Sequence, residues 1–300
     1  MKKKKTRRGK KKKQKNLNIY YCNVNGFRSK QDSIKNIIEQ VQPKIVALCE
    51  TKLESGKTIK SALPGYEICS RKKKAGEKGI AVCVKKQTFK SVLDVTITNH
   101  EDIVAVRIEM AQCVARIILG YAPQETDPAE LRELFFTELE IEISQCRLAE
   151  EMPIVLGDLN SKIQIRGGVV EAITPNGKML LELINNQELK VLNFHDRCVG
   201  KWTYVVRTTG FSSVLDYAIS NETITEATEE ILIDEECLFC PFNIKKKKGR
   251  QERQLSDHNA IVINLSIPYE SKTPKHVPKS WRITKDGLEK LNHITTIDVR

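Results

Sequence analysis

Pro153-Ile154-Val155-Leu156-Gly157-Asp158-Leu159-Asn160 is the stretch on which the reading of this 300-residue chain turns. Its apolar half predicts a short buried strand, and the strand runs directly into a Gly-Asp-x-Asn loop. Strand ends are rigid and the loops beyond them are exposed, so a carboxylate and an amide at this position are well placed to do chemistry. Taken alone, Asp158 and Asn160 could equally close an Asx-turn.

Further polar clusters stand at or near the ends of other apolar runs. Toward the N-terminus, Asn23-Val24-Asn25 follows the predicted strand Leu17–Cys22, and Glu50-Thr51 follows Lys44–Cys49. Toward the C-terminus, Leu215-Asp216-Tyr217 sits in Val214–Ser220, and Ser256-Asp257-His258 precedes Ala260–Ile267. Each has an ordinary alternative. Asn25-Gly26 is a common turn, Glu50 could pair with Lys52, Asp216 could be a strand-end ion-pair residue, and His258 could cap or fill a core. Together, amides, carboxylates and one histidine suit a hard divalent cation and a phosphate. Oxygen donors favour Mg²⁺, with Mn²⁺ as an alternative, and clustered Cys or His for zinc is missing.

The spacing of apolar residues predicts the frame around these clusters. Ile34, Ile37, Ile38 and Val41 give a helix over Ser29–Val41, stopped by Pro43. Strands over Tyr66–Ser70, Gly79–Lys85, Ser91–Thr98, Asp102–Met110 and Cys113–Tyr121 follow without helices between them, which predicts antiparallel pairing. The longest helix is expected over Asp127–Leu148, capped by Asp127, with Leu131, Leu134, Phe135, Leu139 and Ile143 as its apolar stripe. Another is expected over Lys178–Asn186, and further strands over Val191–Phe194 and Trp202–Val206. Lys245–Arg250 reads as a basic, glycine-containing loop. βα units mixed with a meander predict an α/β (α+β) fold of two packed mixed sheets flanked by helices, a four-layer sandwich. The domain is expected over 17–268, after a basic tail (1–16) and before a linker and short amphipathic segment (269–300).

Charge needs to be located before it is interpreted. The net charge is +12, but residues 1–15 hold eleven Lys or Arg and no acid. Without them the chain has 39 basic and 38 acidic residues, so the body is nearly neutral. Such a tail buries no apolar surface and is expected to be disordered, serving as an import signal or a phosphate-binding arm. No apolar stretch is long enough to span a bilayer, and the basic N-terminus lacks the apolar segment of a secretory signal. An intracellular, nuclear, monomeric protein is the expectation, with no membrane partner. Nine cysteines without regular spacing fit reduced thiols. Cys237-Leu238-Phe239-Cys240 is a lone Cys-x-x-Cys without the second pair a zinc site needs, so chance or structural use is the expectation there.

The order of the clusters resembles the endonuclease/exonuclease/phosphatase superfamily, which includes deoxyribonuclease I and the apurinic/apyrimidinic endonucleases. Its strongest elements are Gly157-Asp158-Leu159-Asn160 and Ser256-Asp257-His258. Asn23-Val24-Asn25-Gly26-Phe27 is similar to the opening strand-turn, Leu48-Cys49-Glu50-Thr51 to the metal-glutamate motif, and Gly120-Tyr121-Ala122-Pro123 to the segment with a phosphate-contacting tyrosine. Ser161-Lys162-Ile163, Asn176-Gly177 and Lys201-Trp202-Thr203 resemble the endonuclease domains of non-LTR retrotransposons, and the segment around Trp281 resembles the one that follows this domain in such elements.

The resemblance implies a deoxyribonuclease I-like fold and a Mg²⁺-dependent DNA endonuclease leaving 3′-hydroxyl and 5′-phosphate ends. It implies that Glu50 and Asn23 hold the metal, with Asp257 as a further ligand. It implies that Asp158 activates water, that Asn160, Tyr121 and His258 contact the phosphate, and that Asp216 orients His258. DNA contact is further expected from Trp202 and from Lys245, Lys246, Lys247, Lys248 and Arg250, with Arg71–Lys74 as another basic segment. Cys22 stands where many relatives carry tryptophan, and Asn25 where some carry aspartate. The competing expectations are a phosphatase acting on inositol or lipid phosphates and an inactive DNA-binding module.

Overall fold

The computed structural model describes residues 16–267 except 55, 72–76, 111–112, 167–168 and 248–249. The basic tail, Lys72–Lys74, Lys248 and the C-terminal linker and amphipathic segment therefore lie outside the described residues. In chain order the strands of the first half are β1 (Leu17–Asn23), β2 (Ile45–Cys49), β3 (Tyr66–Ser70), β4 (Ala81–Lys85), β5 (Ser91–Asp94), β6 (Ile103–Glu109), β7 (Val114–Tyr121), β8 (Met152–Asp158), β9 (Ile163–Arg166) and β10 (Val169–Ala172). Those of the second half are β11 (Lys190–Val191), β12 (Cys198–Val199), β13 (Tyr204–Val206), β14 (Phe211–Ser213), β15 (Asp216–Ser220), β16 (Thr228–Ile233), β17 (Phe242–Lys247), β18 (Arg250–Leu255) and β19 (Ile261–Leu265). The α-helices are α1 (Gln31–Val41), α2 (Lys57–Ala62), α3 (Ala129–Leu148), α4 (Pro175–Asn186) and α5 (Glu222–Ala227).

Two large mixed sheets pack face to face. One has the order β12-β16-β19-β1-β2-β4-β3, the other β11-β15-β8-β7-β6-β5. The β1 sequence shows why both of its faces are covered. Leu17, Ile19 and Tyr21 point into the core between the sheets, whereas Tyr20 and Cys22 point into a second core with Ile34, Ile37 and Ile38 of α1. The other sheet repeats the pattern, with Ile117, Leu119, Ile154 and Leu156 inward and Ile118 and Val155 outward against Phe135, Leu139 and Leu180 of α3 and α4. Period-2 alternation with apolar residues in both registers gives the four layers. Each fully buried Ile or Leu contributes roughly 1.5–3 kcal/mol of hydrophobic stabilisation.

The topology then gathers the polar clusters. β1 and β2 run parallel, as do β7 and β8, so Asn23, the residue after Cys49, Tyr121 and Asp158 all emerge at C-terminal strand ends. β15 is antiparallel to β8, which sets Asp216 opposite Asp158. β19 is antiparallel to β1, with Ile261 opposite Tyr21, so the segment entering β19 carries His258 to the same edge.

Several local expectations are corrected. Asp127 does not cap α3. Its carboxylate accepts from the Gln124 amide at 2.7 Å, and Pro128 holds the cap position without a side-chain hydrogen bond. Leu131 and Leu134 are half exposed, and the buried row of α3 is Phe135, Phe136, Leu139, Ile143 and Cys146. α4 begins earlier than expected, at Pro175, because Thr174 caps it through the Gly177 amide at 3.2 Å. Lys245–Lys247 belong to strand β17 and Arg250 to β18, an antiparallel hairpin in place of the expected loop, with Lys245 opposite Glu252 in the register.

Candidate active site

Asp216 is fully buried at the start of β15, with both oxygens engaged. Oδ1 accepts from the Tyr21 hydroxyl at 2.6 Å, and Oδ2 lies 2.8 Å from His258 Nδ1. Its own amide donates to Thr203 Oγ1 at 3.0 Å. The His258 ring is braced edge-on by Tyr204, ring centroids 5.0 Å apart. Its Nε2 lies 3.8 Å from Asp158 Oδ2, beyond hydrogen-bond length. Burial alone would discharge this imidazole, but the carboxylates of Asp216, Asp158 and Asp257 outweigh it and lift its pKa to about 10. His258 is therefore an imidazolium whose Nε2–H faces the site.

Across from it, Asp158 is held by two donors, Asn23 Nδ2 at 2.9 Å on Oδ2 and the Asn160 amide at 3.2 Å on Oδ1. Burial and the nearby Asp216 charge raise its pKa to about 7, against the opposing pull of His258, Asn23 and Asn160. Asn23 Nδ2 also reaches Glu50 Oε1 at 3.1 Å, and that oxygen accepts from the Tyr121 hydroxyl at 3.2 Å. One arm thus runs Tyr21–Asp216–His258 and the other Asp158–Asn23–Glu50–Tyr121.

The loops beyond the strands are bent to present these groups. Asn25, Glu50, Lys52 and Asn160 all have left-handed φ between 42° and 54°. Asn160 Nδ2 donates to Ala122 O at 2.8 Å, and the same side chain lies beside the Tyr121 hydroxyl. Asp257 lies at the rim, 3.4 Å from Asn25 Nδ2. The structure thus brings Asn23, Glu50, Tyr121, Asp158, Asn160, Asp216, Asp257 and His258 to one edge of the sandwich. Trp202 lies beside this edge, its indole under Lys201 Nζ at 4.4 Å, lining an apolar pocket of about 610 Å³ with Phe194 and Phe211. The β17–β18 hairpin joins the edge at its base, where the Ser256 amide donates to Pro241 O at 2.9 Å.

Residues 20–258, well over half of the chain, match the Endonuclease/Exonuclease/phosphatase family. The chain belongs to that family. No curated protein matches the sequence, but solved structures share the fold. The 3′ phosphatase NExo from Neisseria, bound to a product DNA hairpin, superposes with a TM-score of 0.64 at 14% identity, covering 83% of this chain and 99% of its own. An AP endonuclease from Archaeoglobus fulgidus gives 0.62 at 15%, covering 84% and 100%. The endonuclease domain of TRAS1, a telomere-specific non-LTR retrotransposon, gives 0.58 at 15%, covering 84% and 98%. The likeness shows the deoxyribonuclease I-like fold, two mixed sheets flanked by helices.

Members of the endonuclease/exonuclease/phosphatase family typically depend on a divalent metal, and the donors here fit a hard one. Glu50 and Asp158 share one amide, and the nearest cation to Glu50 is the half-exposed Lys52 at 3.5 Å. Concentrated carboxylate charge with amide oxygens beside it is what Mg²⁺ or Mn²⁺ accepts. Asp158, Asp216 and His258 also approach within 4.8 Å of one another. That trio is better read as an ion-pair cluster, because Asp216 is saturated by Tyr21 and His258 and the imidazole is charged.

Residues that sequence reasoning missed are the ones that hold these groups. Lys30 is buried and clamps the turn before it, donating to Val24 O at 2.6 Å and Asn25 O at 2.9 Å. Ser256 Oγ donates to Asn23 O at 2.9 Å, and the buried Asn176 donates to Asn160 O and Pro123 O. Lys78 places Nζ 4.7 Å over the Tyr121 ring. Asn176 left a signal, as the Asn-Gly before an apolar helix, and Ser256 stands in the Ser256-Asp257-His258 cluster, though without this role; Lys30 and Lys78 left none.

Proposed function

We propose that this chain is a Mg²⁺-dependent DNA endonuclease, derived from a non-LTR retrotransposon, that nicks DNA to leave 3′-hydroxyl and 5′-phosphate ends. The reading is carried by one observation. A buried imidazolium and a buried carboxylate of raised pKa face each other across 3.8 Å, beside a Glu–Asn pair suited to a hard cation.

A phosphodiester resists attack because its anionic oxygens repel a nucleophile and the alkoxide leaves poorly. Asp158 is poised near neutrality to take a proton from water, whose oxygen forms the new P–O bond. His258 donates from Nε2 to a phosphoryl oxygen while Asp216 fixes its tautomer and tilt. Asn160 donates from its side-chain amide to the same phosphate, and the Tyr121 hydroxyl turns to it from Glu50. Glu50, Asn23 and Asp257 would hold the divalent cation, which supplies positive charge for the phosphoryl and leaving oxygens. The bond to the 3′ oxygen breaks, and that oxygen takes a proton from solvent to leave as the 3′-hydroxyl. The retrotransposon assignment draws on the Ser161–Trp202 resemblance and on the TRAS1 likeness. Lys245–Lys248, Arg250 and Trp202 are assigned to DNA, the basic tail to nuclear entry or phosphate contact, and the active unit to a monomer. No helix among the described residues is long and apolar enough to cross a membrane.

The test is a nicking assay on supercoiled plasmid, with abasic duplex, 3′-phosphorylated duplex, RNA and an inositol phosphate as competing substrates. Mg²⁺-dependent nicking is expected, abolished by EDTA and reduced roughly a hundredfold or more in Asp158→Ala and Asp257→Ala. Turnover of the inositol phosphate without nicking would transfer the site to the phosphatase reading.

A further inference from the structure

Behind the loop that carries Asp257 and His258, two thiols converge on one atom. Cys237 follows a tight turn, its amide donating to Asp234 O at 3.1 Å, and takes a left-handed φ of 58°. Its sulfur lies 3.8 Å from Asn259 Oδ1. The sulfur of Cys240 lies 3.8 Å from the same oxygen and 3.4 Å from Asp234 Oδ2. Both thiols thus share one acceptor. Cys237 is partly exposed and Cys240 is buried, the arrangement of an attacking thiol with a resolving thiol behind it.

Asn259 ties this pair to the active site. Its amide donates to Thr203 O at 2.7 Å and its Nδ2 to Trp202 O at 2.7 Å. Arg207 donates to Asn259 Oδ1 at 3.2 Å and, through Nη2 and Nε, to Ser256 O at 3.0 and 3.2 Å. The segment Ser256–Asn259 is therefore fixed from behind by a node that includes both sulfurs.

We propose that Cys237 and Cys240 form a peroxide-sensitive dithiol whose oxidation slows strand cleavage by displacing this segment. The Cys237 sulfur attacks one peroxide oxygen. An S–O bond forms, the O–O bond breaks, and the departing oxygen takes a proton and leaves as water. The Cys240 sulfur then displaces the hydroxyl from Cys237. The S–S bond forms, the S–O bond breaks, and the hydroxyl leaves as a second water with the Cys240 proton. Two electrons from the thiols reduce the peroxide, and a dithiol reductant reverses the change. Cys237 is suited to attack, because the neighbouring Cys240 thiol and, against burial, the Arg207 charge hold its pKa at about 6. A disulfide requires the sulfurs to close to bonding distance and leaves neither with a proton, so Asn259 Oδ1 loses its thiol donors.

The effect on cleavage rests on the nuclease reading; the disulfide and the loop displacement do not. The full chain is treated with hydrogen peroxide, mapped by mass spectrometry, and assayed for nicking and for amide exchange over residues 256–259 before and after dithiothreitol. The expected result is a Cys237–Cys240 disulfide, faster exchange in that segment, and nicking slowed roughly tenfold or more, all restored by reductant. Cys237→Ser and Cys240→Ser should nick as the reduced wild type does and ignore peroxide. Free thiols at both positions after peroxide, a disulfide with unchanged exchange, or peroxide inhibition that persists in Cys237→Ser overturns the proposal. If reduced wild type does not nick, the nuclease reading fails, while mapping and exchange still decide the dithiol.

Discussion

At the scale of single residues, the charge on His258 is the feature with the widest consequence. Its pKa is raised from 6.5 to about 10 by its carboxylate neighbours, against its burial. A raised folded-state pKa contributes stability that is fully present below 6.5 and lost as pH rises through about 10. Asp216→Asn removes the 2.8 Å partner and should abolish most of that dependence. Thermal unfolding of wild type and variant in metal-free buffer should therefore converge as pH climbs through this window, the gap below it being on the order of a few kcal/mol. A constant gap would mean that the pair does not titrate with folding. Asp216→Asn also lowers the Asp158 pKa, which the Asp216 charge helps to raise, but that contribution is lost between 3.8 and about 7, mostly below the histidine window. These residues were legible in the sequence because each stands at the end of a run of Ile, Val and Leu. The residues that lock them were not. Lys30 and Ser256 act through main-chain carbonyls that only the folded turn brings near, so nothing in the sequence marks Lys30, and the Ser256-Asp257-His258 cluster does not disclose what Ser256 holds.

At the scale of elements, legibility followed burial. β1, β2, β6, β7 and β8 are buried on both faces and read as continuous apolar runs, and their bounds were expected to within two residues. The hairpins β9–β10 and β17–β18 were missed or taken as loops, and of β13–β14 only the first strand was expected. Their strands are short, polar and held mainly by their partner strand, and such pairing leaves little periodicity. β16 and α5 were missed as well. The β7–β8 pair offers the sharpest test of element packing. Gly120 stands opposite Gly157, and a Cβ at Gly157 would lie 2.1 Å from Gly120 O. Gly157→Ala must push apart two parallel strands whose last residues are Tyr121 and Asp158. A loss of roughly 1–3 kcal/mol is expected, read as a lower urea midpoint. Nicking should also weaken well beyond the loss of folded protein, since Asp158 moves with the strand. An unchanged midpoint would show that the strands part without cost.

At the scale of the whole molecule, the net charge of +12 says little about the proposed DNA-binding face. Eleven of the basic residues fall within residues 1–15, and the remaining chain is almost balanced. A body with so little net charge attracts a polyanion only through local arrangement, such as the lysines of β17, or through the tail. The two contributions separate by their salt dependence. Each phosphate neutralised releases a counterion and adds about 0.9 to the slope of log affinity against log salt on duplex DNA. Deleting residues 2–15 should lower that slope by roughly three or more while leaving nicking at low salt nearly intact, because no catalytic group lies in the tail. Replacing Lys245–Lys248 with Gln should lower the slope by less, with a larger fall in nicking, since that hairpin leads directly into Ser256 and His258. A slope that ignores the tail would place duplex attraction in the folded body. If it ignores the lysines as well, binding comes from the active-site edge itself, where Lys52, Lys78 and Lys201 are the cations at hand.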